Sequence, residues 1–393
     1  MAETDDVDLA CSVTWGSDDP VAEFLKRLPA RWAVALLTDG AGQAVQLICL
    51  KDLRQGVRGR LDQGPGGKRV NWADLVRGVR WTHVDSEFEA DWTYLKAARQ
   101  FFPAIYQQIV EKNQAWFVHV DPDAQYPRYV RSAALIADGG VCLGPFPDRN
   151  AAGKLTELIE DAFDLCRYYN ILTQYPTGNA CAYKEMGKCP APCDGSISIE
   201  QYRRMIDISL TALAEPGRFI EEQTRRMEQA AAELRFETAA KIKAYISQLS
   251  QIGKGTLRCA RPLGEFAFVT LQRGPRKGQV KVFLVLPDRI EPVMCIRNAG
   301  NRGEGFDAQE AVNLLLNCAG TVRGTQAHAD CIGLVARHLF STKANGGVFI
   351  PLFELTEAAV VDAVVRLSRR AVAAAAENAA ASDNSETTDK QSP

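Results

Sequence analysis

The stretch that most restricts this chain runs from residue 166 to 193 and reads CRYYNILTQYPTGNACAYKEMGKCPAPC. Four cysteines, Cys166, Cys181, Cys189 and Cys193, fall in it at the spacing C-x14-C-x7-C-x3-C. Pro176, Gly178, Gly187, Pro190 and Pro192 interrupt any regular element there, so the segment is an irregular loop. A loop this long and polar cannot bury enough apolar surface to offset the entropy of ordering itself. Four thiolates around a metal would hold it, and thiolates select zinc or an iron–sulfur cluster. The plain alternative is four unrelated buried thiols, since the chain has 11 cysteines. The other seven are scattered along the chain, however, and these four are not. A disulfide framework is a further alternative, but disulfides are rare in the cytosol and no secretion signal is evident.

A length of 393 residues suggests two or three domains, and 46% hydrophobic with 24% charged residues is ordinary for globular protein. The formal net charge of −2 excludes a global basic field, so any nucleic-acid contact must be local. The opening MAETDDVDLACSVTW is acidic and lacks an apolar h-region, and no run of about 18 apolar residues offers a membrane span. These features lead to the expectation of a cytoplasmic protein with reduced thiols and no membrane contact.

Residues 1–20 read as a disordered tail by polarity and charge. Two apolar runs, 32–38 and 44–50, flank Asp39-Gly40-Ala41-Gly42 and predict a β-hairpin. Leu53, Val57 and Leu61 stand at helical spacing. A helix is expected over 86–110 with acidic residues at its start, split or kinked at Pro103. Strands are expected at 115–120, 129–136 and 140–147, followed by a helix over 150–166 that delivers Cys166. Ser198 is a plausible N-cap for the helical stretch that continues to about Leu249 with a break at Pro216-Gly217. Three apolar runs between 266 and 297 predict an antiparallel meander, with helices at 307–318 and 327–340 after it. The Ala-rich, then polar, tail from 371 reads as disordered.

Residues 218–249 form a helical hairpin by pattern, with Met227, Ala231, Leu234, Ala239, Ile242 and Ile246 recurring at near-helical spacing. Two short helices make a thin layer, which needs a further surface to bury its stripe. The segment resembles the UVR motif, M-x-x-A-A-x-x-L-x-F-E-x-A-A, supplied here by Met227, Ala230, Ala231, Leu234, Phe236, Glu237, Ala239 and Ala240. Lys243-Ala244 stands where the family usually continues Arg-Asp. The cysteine loop preceding the hairpin, with GKCPAPCDGSISIEQY at its end, resembles the corresponding region of the UvrC family, the nuclease subunit of bacterial nucleotide excision repair. The likeness runs with gaps from about 29 to 297, roughly two thirds of the chain. It implies that Cys166, Cys181, Cys189 and Cys193 hold a [4Fe–4S] cluster, with zinc the alternative. It also implies that Met227, Ala231, Leu234, Phe236, Glu237 and Ala240 meet a UvrB-like partner, and that DNA is a further contact.

In the UvrC family the N-terminal domain is a GIY-YIG nuclease, whose glutamate holds a metal and whose arginine meets phosphate. By resemblance Arg54, in Leu53-Arg54, is the residual phosphate-facing arginine. Ala35 falls at the first tyrosine position, Leu47-Ile48-Cys49 replaces the YIG element, and Tyr94 takes the place of the glutamate. A shifted register would hand that role to Glu87, Glu89 or Asp91. Residues 263–297 resemble the strands that open the family's ribonuclease-H-like region, and the chain looks truncated beyond them. Glu304, Asp307 and Glu310 read as an exposed helix start, and His328 and His338 as surface or core histidines.

The expected fold is α+β. It comprises a disordered tail 1–20, a degenerate GIY-YIG-like domain 21–112, and a strand and helix region with the cysteine cluster 113–200. A helical UVR hairpin 201–252, a mixed α/β domain 253–370 and a disordered tail 371–393 complete it. The expected function is that of a nuclease-inactive UvrC-like repair protein. The alternatives are an active excision endonuclease with a rearranged site, and a structural zinc protein with a partner-binding hairpin.

Overall fold

The computed structural model describes residues 7–16, 20–62, 71–111, 113–136, 139–297, 306–320, 327–341 and 347–368. It is an α+β protein built on three antiparallel sheets. The first contains β1 (Cys11–Thr14), then, after helix α1 (Val21–Lys26), the expected hairpin β2 (Ala33–Thr38) and β3 (Ala44–Leu50). Helices α2 (Leu53–Leu61) and α3 (Trp72–Leu75) and strand β4 (Gly78–His83) follow, and the strand order is β1-β4-β2-β3. Every residue of β2 except the terminal Thr38 is apolar and all are buried, which makes it the core strand. The hairpin closes because Asp39 accepts from the backbone N–H groups of Ala41 and Gln43, at 2.9 and 2.8 Å, and Gly42 takes φ 77°.

The expected disorder over 1–20 is corrected here. Val7 and Leu9 are buried and β1 pairs with β4 in the register Cys11↔Trp81. Four residues are too short to show a period of two, so pairing with a distant strand decides their state. Residues 1–6 and 17–19, and the tail from 371, lie outside the described residues.

Ser86 caps α4 (Glu87–Phe101) by accepting from Glu89 N–H at 3.1 Å, and Pro103 opens a separate helix α5 (Pro103–Glu111), as its lack of an N–H predicts. The second sheet, of order β6-β5-β7, contains β5 (Trp116–Val120), β6 (Val130–Ser132) and β7 (Val141–Phe146). Helix α6 (Arg149–Ala162) lays Ala152, Leu155 and Ile159 on it. This helix ends four residues before Cys166 instead of reaching it. Asp164 adopts φ 50° and Leu165 N–H returns to Glu160 O at 3.0 Å, a Schellman closure that turns the chain into the cysteine loop.

Two single turns, α7 (Tyr169–Leu172) and α8 (Ala182–Glu185), punctuate that loop. Helix α9 (Ile199–Ala214) starts at a full capping box between Ser198 and Gln201. Pro216 then opens α10 (Pro216–Ala232), which pairs with α11 (Phe236–Leu249) as the hairpin. Phe163, Phe219 and Tyr245 meet at the hairpin's base with ring centroids 5.6–6.2 Å apart. The third sheet is the expected meander β8 (Phe268–Arg273), β9 (Val280–Val285) and β10 (Ile290–Ile296). Helices α12 (Ala308–Ala319) and α13 (Ala329–Leu339) also stand where expected. Strand β11 (Val348–Pro351), which was not anticipated, pairs with β8.

The third sheet packs on α4. Phe88 lies 5.6 Å from Phe283, 5.7 Å from Phe349 and 5.4 Å from the His338 ring. Their burial joins first and last segments in one core with Trp92, Val285 and Ile332.

Candidate cofactor and partner site

The cysteine loop brings its four thiols to one place. Cys166, Cys189 and Cys193 are buried and Cys181 is half-buried. Cys166 Sγ donates to Tyr168 O at 3.5 Å, and the interaction of Cys166 with Cys189 raises Cys166 and lowers Cys189. Cys193 feels the charge of both Cys189 and Cys181. Cys189 is the thiol of the pair whose anion is favoured, and the neighbouring Arg167 guanidinium adds to this.

The loop's backbone serves this convergence. Ala191 takes φ 55° and Gly195 φ 79°, folding Pro192–Asp194 into a tight turn that buries Cys193. Gly178 N–H donates to Cys193 O at 2.9 Å, and a Cβ at Gly178 would lie 3.0 Å from that same oxygen. Tyr202, fully buried on α9, accepts from Cys166 N–H at 3.3 Å. Arg167 pairs with Asp161, donates to Lys188 O at 3.2 Å and lies 4.3 Å over the Tyr183 ring. Lys184 bridges Asp194 at 2.6 Å and Ser196 at 2.7 Å. Cysteine spacing pointed to the thiols but not to these supports, since Arg167, Tyr183 and Tyr202 show no periodic signal.

The hairpin divides the expected partner residues. Met227 and Ala231 are half-buried between the two helices, while Leu234, Phe236, Glu237 and Ala240 are exposed. Leu234 is 73% and Phe236 64% accessible, so the tip presents two large apolar side chains to solvent. Ala230, which the stripe did not include, is buried.

In the N-terminal domain, Arg54 is used by the fold. Its guanidinium donates to Leu28 O at 2.8 Å and Lys26 O at 3.3 Å, satisfying carbonyls at the end of α1. The expected phosphate-facing role therefore competes with a structural one already in place. Two of the aligned site positions do meet: Cys49 and Tyr94 lie close enough for Cys49 to raise Tyr94. Burial raises both groups first, and Trp32 Nε1–H donates to Cys49 Sγ at 3.3 Å. Both are neutral near pH 7. The substitute carboxylates are engaged elsewhere. Glu89 accepts from Asp85 N–H at 2.8 Å and pairs with Lys281 at 2.6 Å. Asp91 pairs with Arg337 and His338, each at 2.8 Å; Glu87 is not free either. Asp307 accepts from Glu310 N–H at 3.0 Å as the α12 cap, and Glu304 lies outside the described residues.

A three-stranded sheet leads through one helix into a thiol-lined loop, and a helical hairpin follows. Residues 115–212 match the profile of the UvrC/Cho excinuclease middle domain, and residues 217–252 match the UvrB/uvrC motif. The chain is UvrC-like from the small sheet through the hairpin. The UvrABC system protein C of Caldanaerobacter subterraneus is 24% identical over 274 residues, covering 68% of this chain and 44% of the relative. That of Desulforudis audaxviator is 26% identical over 235 residues, 59% of this chain and 38% of the relative. That of Clostridium perfringens is 25% identical over 271 residues, with 68% and 44% covered. The chain thus spans less than half the length of these relatives. No solved structure matches it significantly. Among the described residues no helix is long and apolar enough to cross a membrane.

Proposed function

We propose that this chain works in nucleotide excision repair as a UvrC-like protein that holds an iron–sulfur cluster, docks a UvrB-like partner and makes no incision through its N-terminal domain. The observation that carries this reading is a contrast between two sites. The four loop cysteines converge with their supports in place, whereas Cys49 and Tyr94 offer a metal no carboxylate.

The donor set fits a thiolate-bound group. Three of the four cysteines are buried, and Cys166 and Arg167 lower the pKa of Cys189, which favours a thiolate ligand. Thiolates suit an iron–sulfur cluster or zinc, and the likeness of the cysteine loop to the UvrC family favours the cluster. A [4Fe–4S] cluster bound by Cys166, Cys181, Cys189 and Cys193 would supply a rigid tie between the end of α6 and the start of α9. Arg167 and Tyr202 orient the Cys166 end of the loop, and Lys184 braces the Cys193 end.

The exposed tip supports the partner assignment, because a thin two-helix layer with apolar residues at its end needs a second surface. DNA contact is part of the same proposal, with the basic stretches 51–60 and 274–281 as the local sources of charge.

Protein purified without oxygen is expected to be brown, with about four iron and four sulfide per chain. Cys189→Ser should abolish the colour. A colourless protein carrying zinc overturns the cluster, and nicking of damaged duplex by the chain with a UvrB-like protein and a divalent metal overturns the loss of incision. Capture of the UvrB-like protein should be lost in Phe236→Ala.

A further inference from the structure

A cavity of about 970 Å³ lies between α5, the middle sheet and the start of α13. Phe117, Leu135 and Leu263 contribute apolar wall, and Arg99, Tyr106, His328 and Asp330 gather at one end. There a ring nitrogen of His328, a carboxylate oxygen of Asp330 and Cys331 Sγ all lie within 4.8 Å of one another.

The surroundings of this trio are those of a held ligand set. One oxygen of Asp330 accepts from both the Arg99 guanidinium and the Tyr106 hydroxyl. The other accepts from Cys331 N–H, at 2.9 Å. His328 is fixed through its backbone N–H, which donates to Pro287 O at 2.8 Å. Cys331 Sγ rests 3.8 Å from Asp288 O. Asp330 paired with Arg99 could be an ion pair and nothing more. That role explains neither the imidazole beside the carboxylate on the cavity wall nor the thiol within 4.8 Å of both.

We propose that His328, Asp330 and Cys331 bind one divalent transition-metal ion of the zinc class, with its remaining coordination position open to the cavity. Imidazole and thiolate together select zinc-like ions over magnesium or calcium. Three protein ligands leave the fourth position of a tetrahedral ion for water or a ligand atom. Tyr106 and Arg99 supply the outer-shell bonds that orient a ligating carboxylate, and the cavity supplies the entry path. On binding, the sulfur–metal and nitrogen–metal bonds form as the Cys331 thiol proton leaves to solvent, with no change of oxidation state. This site is separate from the cysteine loop and does not depend on what the loop holds.

The test is cobalt(II) titration of the full chain, read as the absorbance difference between wild type and His328→Ala. His328 is exposed, so its replacement should leave the circular dichroism unchanged. The wild type is expected to take up one more equivalent than the variant, with a thiolate-to-cobalt charge-transfer band that Cys331→Ala also removes. Tyr106→Phe should weaken cobalt affinity roughly tenfold and keep the band. A wild type and His328→Ala with identical spectra and stoichiometry, or a difference spectrum without a thiolate band, overturns the proposal.

Discussion

Lys281 Nζ stands 2.6 Å from Glu89 Oε1 and 2.7 Å from Asp85 Oδ2, tying the third sheet to the start of α4, with Glu89 192 residues earlier in the chain. Burial opposes the charge on Lys281, but its bonds to the two carboxylates outweigh this and hold its pKa above the usual lysine value. Removing the ammonium leaves two half-buried carboxylates facing each other, so Lys281→Met should destabilise by about 2 kcal/mol. A raised lysine pKa contributes in full at neutral pH and is lost as pH rises through the folded value. Thermal melts should therefore separate wild type from variant at pH 7 and converge in strong alkali.

Arg54 satisfies two carbonyls at the end of α1, so its loss should be felt in stability. Arg54→Ala should lower stability by about 1–2 kcal/mol. Duplex DNA binding, followed over a salt series, should keep its slope. A flatter salt dependence in the variant would restore the phosphate-facing role.

Leu234 occupies the left-handed position of a Schellman closure. Its φ is 59°, Leu234 N–H returns to Ala231 O at 3.0 Å and Arg235 N–H to Ala230 O at 2.8 Å. Glycine is the residue this conformation favours, and a leucine there costs roughly 1 kcal/mol. Leu234→Gly should thus raise the melting temperature while weakening capture of the UvrB-like protein at least tenfold. A variant that is both more stable and fully competent in capture would remove Leu234 from the interface.

Burial pushes the Glu160 carboxyl up to about 7; Arg167 and Arg131 oppose this and Glu157 and Asp161 add to it. Between the ordinary glutamate range and pH 7 the native state binds more protons than the unfolded chain, so this group makes stability fall as pH rises. Above pH 7 the penalty is complete. Glu160→Gln should stabilise by on the order of 2 kcal/mol at pH 8 and by little at pH 5. Denaturant titrations at the two values check the sign.

Much of the fold was legible because its signals are local. The Asp39–Gly42 turn, the break at Pro103, the Ser198 cap and the meander each rest on a few adjacent residues. The strands Cys11–Thr14, Gly78–His83 and Val348–Pro351 were not, since each has four to six residues and is defined by a partner far along the chain. The same division holds at the sites. Cysteine spacing marked the loop, and the resemblance marked the hairpin. The engagement of Glu89 with Lys281 and of Asp91 with His338 joins residues 192 and 247 positions apart. Nor could His328, Asp330 and Cys331 be singled out until Arg99 and Tyr106 were seen beside them.

The aromatic triangle of Phe163, Phe219 and Tyr245 sits three residues before Cys166, at the root of a hairpin whose tip is roughly 20 Å away. The hairpin is thus a lever with its fulcrum at the rim of the cysteine loop. On the reading proposed above, the loop that would hold the cluster and the arm that would hold the partner share one aromatic root.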